Sequence, residues 1–179
     1  MGSINVLTKD QAPEEAKEIF ESITKKVGRM PNIYAGVANS PSTLKAFLEF
    51  RANQSKGGRF SQKEAEAISL AIGQENQCTY CLAAHTVLGK MAGFSEEDTI
   101  ELRKAQSDDP KLSALAKLSK EIVATKGRPS QEVIDAFFKA GYDQAALVEL
   151  IGHVSANIFT NYFNHIADTP IDFPVAKEI

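Results

Sequence analysis

Glu66-Ala67-Ile68-Ser69-Leu70-Ala71-Ile72-Gly73-Gln74-Glu75-Asn76-Gln77-Cys78-Thr79-Tyr80-Cys81-Leu82-Ala83-Ala84-His85 is the stretch on which the reading of this chain turns. It contains both cysteines of the protein and one of its three histidines. Ile68, Leu70, Ala71 and Ile72 follow in helix-compatible order, and Ser61 with Glu64 forms a capping box ahead of them. The polar run 73–77 reads as a turn. A second helix is expected from near Cys78 through Met91, with Gly93 as its stop. The product is a helix–turn–helix over 61–93 with a C-x-x-C pair where its second helix begins.

Outward from this core, every punctuated segment also fits a helix. Residues 1–12 have no strong period and are expected as an extended arm. Pro13 suits a first helical turn through Phe20, with acids early and Lys25-Lys26 late to complement the macrodipole, and Gly28 as the stop. Residues 31–39 read as a short apolar helix with Ile33, Tyr34 and Val37. Pro41 opens another, with Leu44, Phe47, Leu48 and Phe50 expected buried, and Gly57-Gly58 breaks it. Ser95-Glu96-Glu97-Asp98 caps a helix carrying Ile100 and Leu102; Asp108-Asp109-Pro110 starts one with Leu112, Leu115, Leu118, Ile122 and Val123 at periods of three and four, ended by Gly127. Ser130 caps a helix with Val133, Ile134, Phe137 and Phe138, ended by Gly141. Asp143 caps the longest, up to about Ala167, and Pro170 and Pro174 keep the tail, 168–179, irregular. With no alternating run anywhere, the fold class is all-α, one domain over 1–179.

Bulk properties narrow the function. Twenty basic against 23 acidic residues, well mixed, give a net charge of −3, which excludes a nucleic-acid surface and gives no pull toward an anionic membrane. No apolar run reaches the ~20 residues of a membrane span. The first six residues lack the apolar core of a signal peptide, so the expected location is cytoplasmic. In a reducing cytosol, paired cysteines point to redox chemistry or metal rather than to a structural staple.

Several features favour thiolate at the pair. Both cysteines sit near a helix N-terminus, where the dipole stabilises anions. Cys81 and His85 are four apart and share a helical face. Glu66, on the preceding helix, can approach His85 if the two helices pair across the turn, which is the third-group arrangement of an activated nucleophile. Residues three apart on a first turn have Cα atoms within the ~4.4–6.8 Å that a disulfide needs. One cysteine can therefore attack an oxidant and the other close the disulfide. Spacing leaves open which attacks: the dipole favours Cys78, proximity to His85 favours Cys81.

Glu66, eleven intervening residues, Cys78-x-x-Cys81, three residues and His85 resemble the signature of the alkylhydroperoxidase D family, within the carboxymuconolactone decarboxylase-like superfamily, and most of all its peroxidase-related branch. Leu82-Ala83-Ala84-His85-Thr86 and Gly89 also fit. The resemblance implies an all-helical homo-oligomer, trimer or hexamer, that reduces small-molecule organic hydroperoxides at the expense of a dithiol reductant, with neither cofactor nor metal. It implies Cys81 as the peroxidatic thiol, Cys78 as the resolving one, and Glu66 with His85 as a proton relay. Tyr80 stands where the best-known member carries a relay histidine, and a phenol with an ordinary pKa near ~10 is a poor base at neutrality. Decarboxylases of the superfamily generally lack the cysteine pair.

Blander readings compete. Two rivals keep the dithiol but change the role: a disulfide oxidoreductase acting on thiols, and a zinc-stabilised module held by Cys78, Cys81, His85 and Glu66. Zinc fingers separate their ligand pairs by about a dozen residues, whereas here three candidates crowd one helix. Along the last helix, His153, Asn157, Asn161 and His165 recur at four-residue spacing. They are either a polar lining near the thiols, with His153 or Asn157 completing the site, or, the preferred reading, a satisfied polar seam at a subunit interface or facing solvent. Phe159, Tyr162 and Phe163 read as core or interface, and Lys25-Lys26-Arg29 as a solvated helix end.

Overall fold

A computed structural model describes residues 2–179; Met1, the first residue of the expected arm, lies outside them. Among the described residues the elements run α1 (Glu14–Val27), α2 (Asn32–Val37), α3 (Pro41–Gly57), α4 (Gln62–Glu75), α5 (Thr79–Met91), α6 (Glu96–Arg103), α7 (Pro110–Ala124), α8 (Gln131–Lys139) and α9 (Gln144–Ala167), with no strand. No helix among them is long and apolar enough to cross a membrane.

α4 is the axis of the fold. Every residue from Glu66 to Gly73 is buried, so the helix is enclosed on all sides, with α5, α6, α7 and α9 packed around it. Ile68, Leu70 and Ile72 are fully buried, each contributing about 2–3 kcal/mol of apolar transfer. Its start is the expected capping box, with Ser61 Oγ accepting the Glu64 N–H and the Glu64 carboxylate accepting the Ser61 N–H at 2.9 Å. Its end differs from the sequence reading: residues 73–75 remain helical, and the turn shrinks to Asn76 and Gln77, the latter at φ 54. Enclosure by neighbouring helices outweighs the turn propensity of a polar run.

Other boundaries fall close to their signals. Gly28 caps α1 at φ 84, with its N–H donating to the Thr24 carbonyl. Asp109 and Asp143 accept backbone N–H groups at the starts of α7 and α9. Pro13 and Ser130 occupy N-cap positions without a side-chain cap bond. In α3 only Leu44 is fully buried; Phe47 and Leu48 are half-buried and Phe50 is 44% exposed, so this helix lies at the surface.

The two terminal segments are irregular but docked. Val6 and Leu7 of the arm pack on α1–α3, and the Leu7 N–H donates to the Ala35 carbonyl. In the tail, Asp172 accepts from Tyr80 Oη at 2.7 Å and from the Asn32 N–H at 3.1 Å, and pairs with Arg29. The Arg29 guanidinium also lies 4.4 Å over the Phe173 ring. Arg29 is therefore not a solvated helix end as its cluster suggested: its partners come from a segment 143 residues away.

Candidate active site

The α4–α5 turn places the two cysteines. Cys78 is the N-cap of α5 and Cys81 is its third residue. The Cys78 N–H donates to the Gly73 carbonyl at the end of α4, and Cys78 Sγ accepts the Cys81 N–H at 3.3 Å, so sulfur takes the part usually played by a capping oxygen. The Cα atoms are 5.3 Å apart and the sulfurs are joined as a disulfide. Both side chains are buried, Cys78 at 0% exposure and Cys81 at 3%.

Across the helix pair, His85 Nδ1 meets Glu66 Oε2 at 2.7 Å. A carboxylate can only accept, so against it Nδ1–H donates, and in the neutral ring Nε2 is then the acceptor nitrogen. Side-chain exposures of 15% for His85 and 9% for Glu66 strengthen the contact by excluding water.

Cys81 and His85 open into one cavity of about 240 Å³, walled by α2, α3, α5, α9 and the tail. Its lining is mostly apolar and aromatic: Ile33, Tyr34, Phe47, Tyr80, Leu88 and Phe173 among others. Cys78 is not part of that lining; it borders a separate recess between α5 and the end of α9.

Tyr80 also lines the cavity, but its hydroxyl is committed, donating to Asp172 and accepting the Ile33 N–H at 3.3 Å. Burial, reinforced by the Asp172 carboxylate, pushes its pKa far up. Tyr80 therefore anchors the tail as a neutral phenol. Burial likewise raises the Tyr34 phenol.

The last helix corrects the preferred sequence reading. Its asparagines form no remote seam. Asn161 Nδ2 donates to Cys81 Sγ at 2.9 Å while its Oδ1 accepts from Asn76 Nδ2 at 2.8 Å. Asn164 Nδ2 lies 3.3 Å from Cys81 Sγ and 3.9 Å from Cys78 Sγ, and Asn157 lines the cavity. His153, the accessory candidate, stays out of this group. Its ring packs edge-on against Phe60, neither ring nitrogen has a hydrogen-bond partner among the described residues, and burial pushes its pKa down to about 4. His165 is exposed. Asn164, Asp172 and Phe173 went unread in the sequence. The first falls off the four-residue spacing, and the others sit in a proline-broken tail without a period.

Residues 41–120 match the family model described as carboxymuconolactone decarboxylase family. An uncharacterized peroxidase-related protein from Ralstonia eutropha JMP134, described as an alkylhydroperoxidase AhpD core, superposes with a TM-score of 0.85 at 16% identity, over 96% of this chain and 92% of that one. The chain has the alkylhydroperoxidase D-like helical fold, and its residues 41–120 carry the match to the carboxymuconolactone decarboxylase family. A peroxidase-related protein from Silicibacter sp. TM1040 shares the superfamily fold at a TM-score of 0.83 and 17% identity, over 94% and 91% of the two chains. A cysteine-to-alanine variant of the debrominase Bmp8, in complex with 2,3,4-tribromopyrrole, does so at 0.81 and 15%, over 96% and 92%. No curated protein matches the sequence. Within the superfamily fold, the C-x-x-C disulfide lies inside the matched segment, and among the described residues no group of three or more His, Cys, Asp or Glu side chains is placed to hold a metal ion.

Proposed function

We propose that the protein is a thiol peroxidase that reduces organic hydroperoxides through Cys81 and Cys78. The observation that carries this reading is Cys81 itself. Its sulfur faces an apolar cavity beside the His85–Glu66 pair and receives two side-chain amide N–H donors, from Asn161 and Asn164. Such donors stabilise a thiolate far more than a thiol, because a charged acceptor forms the stronger hydrogen bond. The enclosed position of Cys78, outside the main cavity, favours Cys81 as the attacking sulfur over the dipole argument for Cys78.

The Cys81 thiolate attacks the terminal peroxide oxygen and the O–O bond breaks. The departing alkoxide takes a proton relayed by His85 and Glu66 and leaves as alcohol, with Cys81 as sulfenic acid. The Cys78 thiol then attacks the Cys81 sulfur, water leaves, and the disulfide forms. Two electrons from the dithiol thus reduce one hydroperoxide to alcohol and water, and an external dithiol reductant restores both thiols. The reading places the enzyme in the cytoplasm as a homo-oligomer, trimer or hexamer. Supporting the oligomer, Val148, Ile151, Tyr162 and Ile166 form one stripe of α9 and are each more than half exposed.

The test is thiol counting on reduced protein before and after one equivalent of an organic hydroperoxide. Loss of both thiols with an intramolecular disulfide by mass is expected. Peroxide consumption that survives Cys81→Ser overturns the reading. A second reading is favoured by the aromatic side chains Tyr34, Phe47, Tyr80 and Phe173 around the cavity, together with the likeness to the debrominase. In it the same dithiol delivers two electrons to a carbon–halogen bond, yielding the hydrogen-substituted product, halide and the disulfide. Halide release from a brominated aromatic, without hydroperoxide turnover, selects that reading.

A further inference from the structure

α3 is amphipathic in a way that singles out one residue. Its inward stripe reads Leu44, Phe47, Leu48, Arg51 and Gln54, while Lys45, Ala46, Glu49, Ala52, Asn53 and Ser55 are exposed. Arg51 thus continues a row of apolar positions toward the interior, and it lines the cavity onto which Cys81 and His85 open.

No other lysine or arginine lines that cavity, and no aspartate or glutamate does. Among the described residues no carboxylate pairs with the Arg51 guanidinium. Glu66 is engaged by His85 at 2.7 Å, and Glu149 accepts the Arg59 N–H with both oxygens. His153 supplies no competing positive charge near neutrality, since burial holds it neutral. The cavity therefore presents aromatic and aliphatic walls with one cationic side chain in its lining, which no carboxylate meets within ion-pair distance among the described residues. An unpaired guanidinium against low-dielectric surroundings is unfavourable unless an anion completes it, and its fork matches a carboxylate in bidentate fashion.

We propose that Arg51 is an anion-binding subsite, and that the substrate which reaches Cys81 is an amphiphile with an apolar body and one carboxylate-like negative group. This rests on the assignment of the Cys81 cavity as the reacting site and adds a substrate class to it. The apolar body fills the region of Ile33, Phe47 and Leu88, and the anionic group pairs with Arg51.

The test is calorimetric binding of non-reactive probes to purified, folded protein, which requires no turnover. Octanoate and its neutral isostere octanamide are compared on the wild type, Arg51→Gln and Arg51→Lys. A charge-assisted pair predicts that octanoate binds roughly tenfold or more tightly than octanamide to the wild type. Arg51→Gln removes that preference with octanamide binding unchanged, and Arg51→Lys restores part of it. Helicity and unfolding midpoint verify that the variants fold. Octanoate binding no tighter than octanamide on the wild type, or a preference that persists in Arg51→Gln, overturns the subsite. Either result leaves the peroxidase assignment standing, since that is decided by the thiol count.

Discussion

Asn161 offers the most direct test of how the fold prepares the reacting sulfur. It is fully buried, and its amide cannot swing freely because Asn76 Nδ2 donates to its Oδ1 at 2.8 Å. That contact aims Nδ2 at Cys81 Sγ, 2.9 Å away. The perturbation is Asn161→Leu in a Cys78→Ser background, so that Cys81 is the sole thiol and the side-chain volume is nearly kept. A hydrogen bond to a charged acceptor contributes about 1.5–3 kcal/mol, equivalent to roughly tenfold to hundredfold in thiolate population. Asn164 remains 3.3 Å from the same sulfur, so the lower end applies and about a tenfold loss is expected. The assay is the second-order rate of alkylation of reduced protein by iodoacetamide near neutral pH. Adding Asn164→Leu should slow the reaction further. Asn76→Ala, which acts only by loosening the Asn161 amide, should slow it less. An alkylation rate equal to that of the parent, in an Asn161→Leu protein of native helicity, refutes the reasoning.

Other expectations follow from the same geometry. Glu66→Gln keeps an acceptor for the His85 ring but removes the negative charge that supports proton relay, and hydroperoxide reduction should fall by about a hundredfold or more with little change in substrate affinity, read from separated kcat and KM. His153 sits at about 4 in the fold against 6.5 in the open chain; the unfolded state gains the proton first, so stability falls as pH drops from about 6.5 to about 4 and is flat below. Discounted for partial solvent screening, the loss is about 2 kcal/mol, and denaturant unfolding at the two ends of that window should show it in the parent but not in His153→Leu. Tyr80→Phe deletes the hydroxyl that bridges Asp172 and the Ile33 N–H, which should cost about 1–2 kcal/mol and make the tail a faster target for limited proteolysis. If α9 carries the subunit interface, Ile151→Glu with Ile166→Glu should lower the mass measured by light scattering without loss of helicity.

The legible part of the fold was local. Ser61 with Glu64, Ser95 with Asp98, and the aspartates before α7 and α9 are signals whose partners lie within three residues, so their geometry is set by chain connectivity. The polar run at 73–77 misled because its helical state depends on neighbours packed against α4, which no local rule contains. α3 misled in the opposite sense: its apolar residues promise burial, yet Phe50 is left at the surface. Periodicity measures amphipathicity, whereas burial depends on what else is present to cover the face.

The sequence by itself determined the all-α class, the helix–turn–helix, the cysteine pair at its second N-terminus, and the spacing that lets Glu66 meet His85. All of these depend on residues separated by no more than one helix pair. Only the tertiary structure decided the surroundings of the sulfurs. Asn161 and Asn164 reach Cys81 from 80 and 83 residues away, and Asp172 reaches Tyr80 from 92, while Arg51 joins the cavity from a helix that precedes the motif. A four-residue polar spacing on α9 is compatible with a solvent face, an interface or a sulfur site. What selects among them is the packing of α9 across α4 and α5, and that is fixed by burial summed over the whole chain rather than by any residue's own pattern.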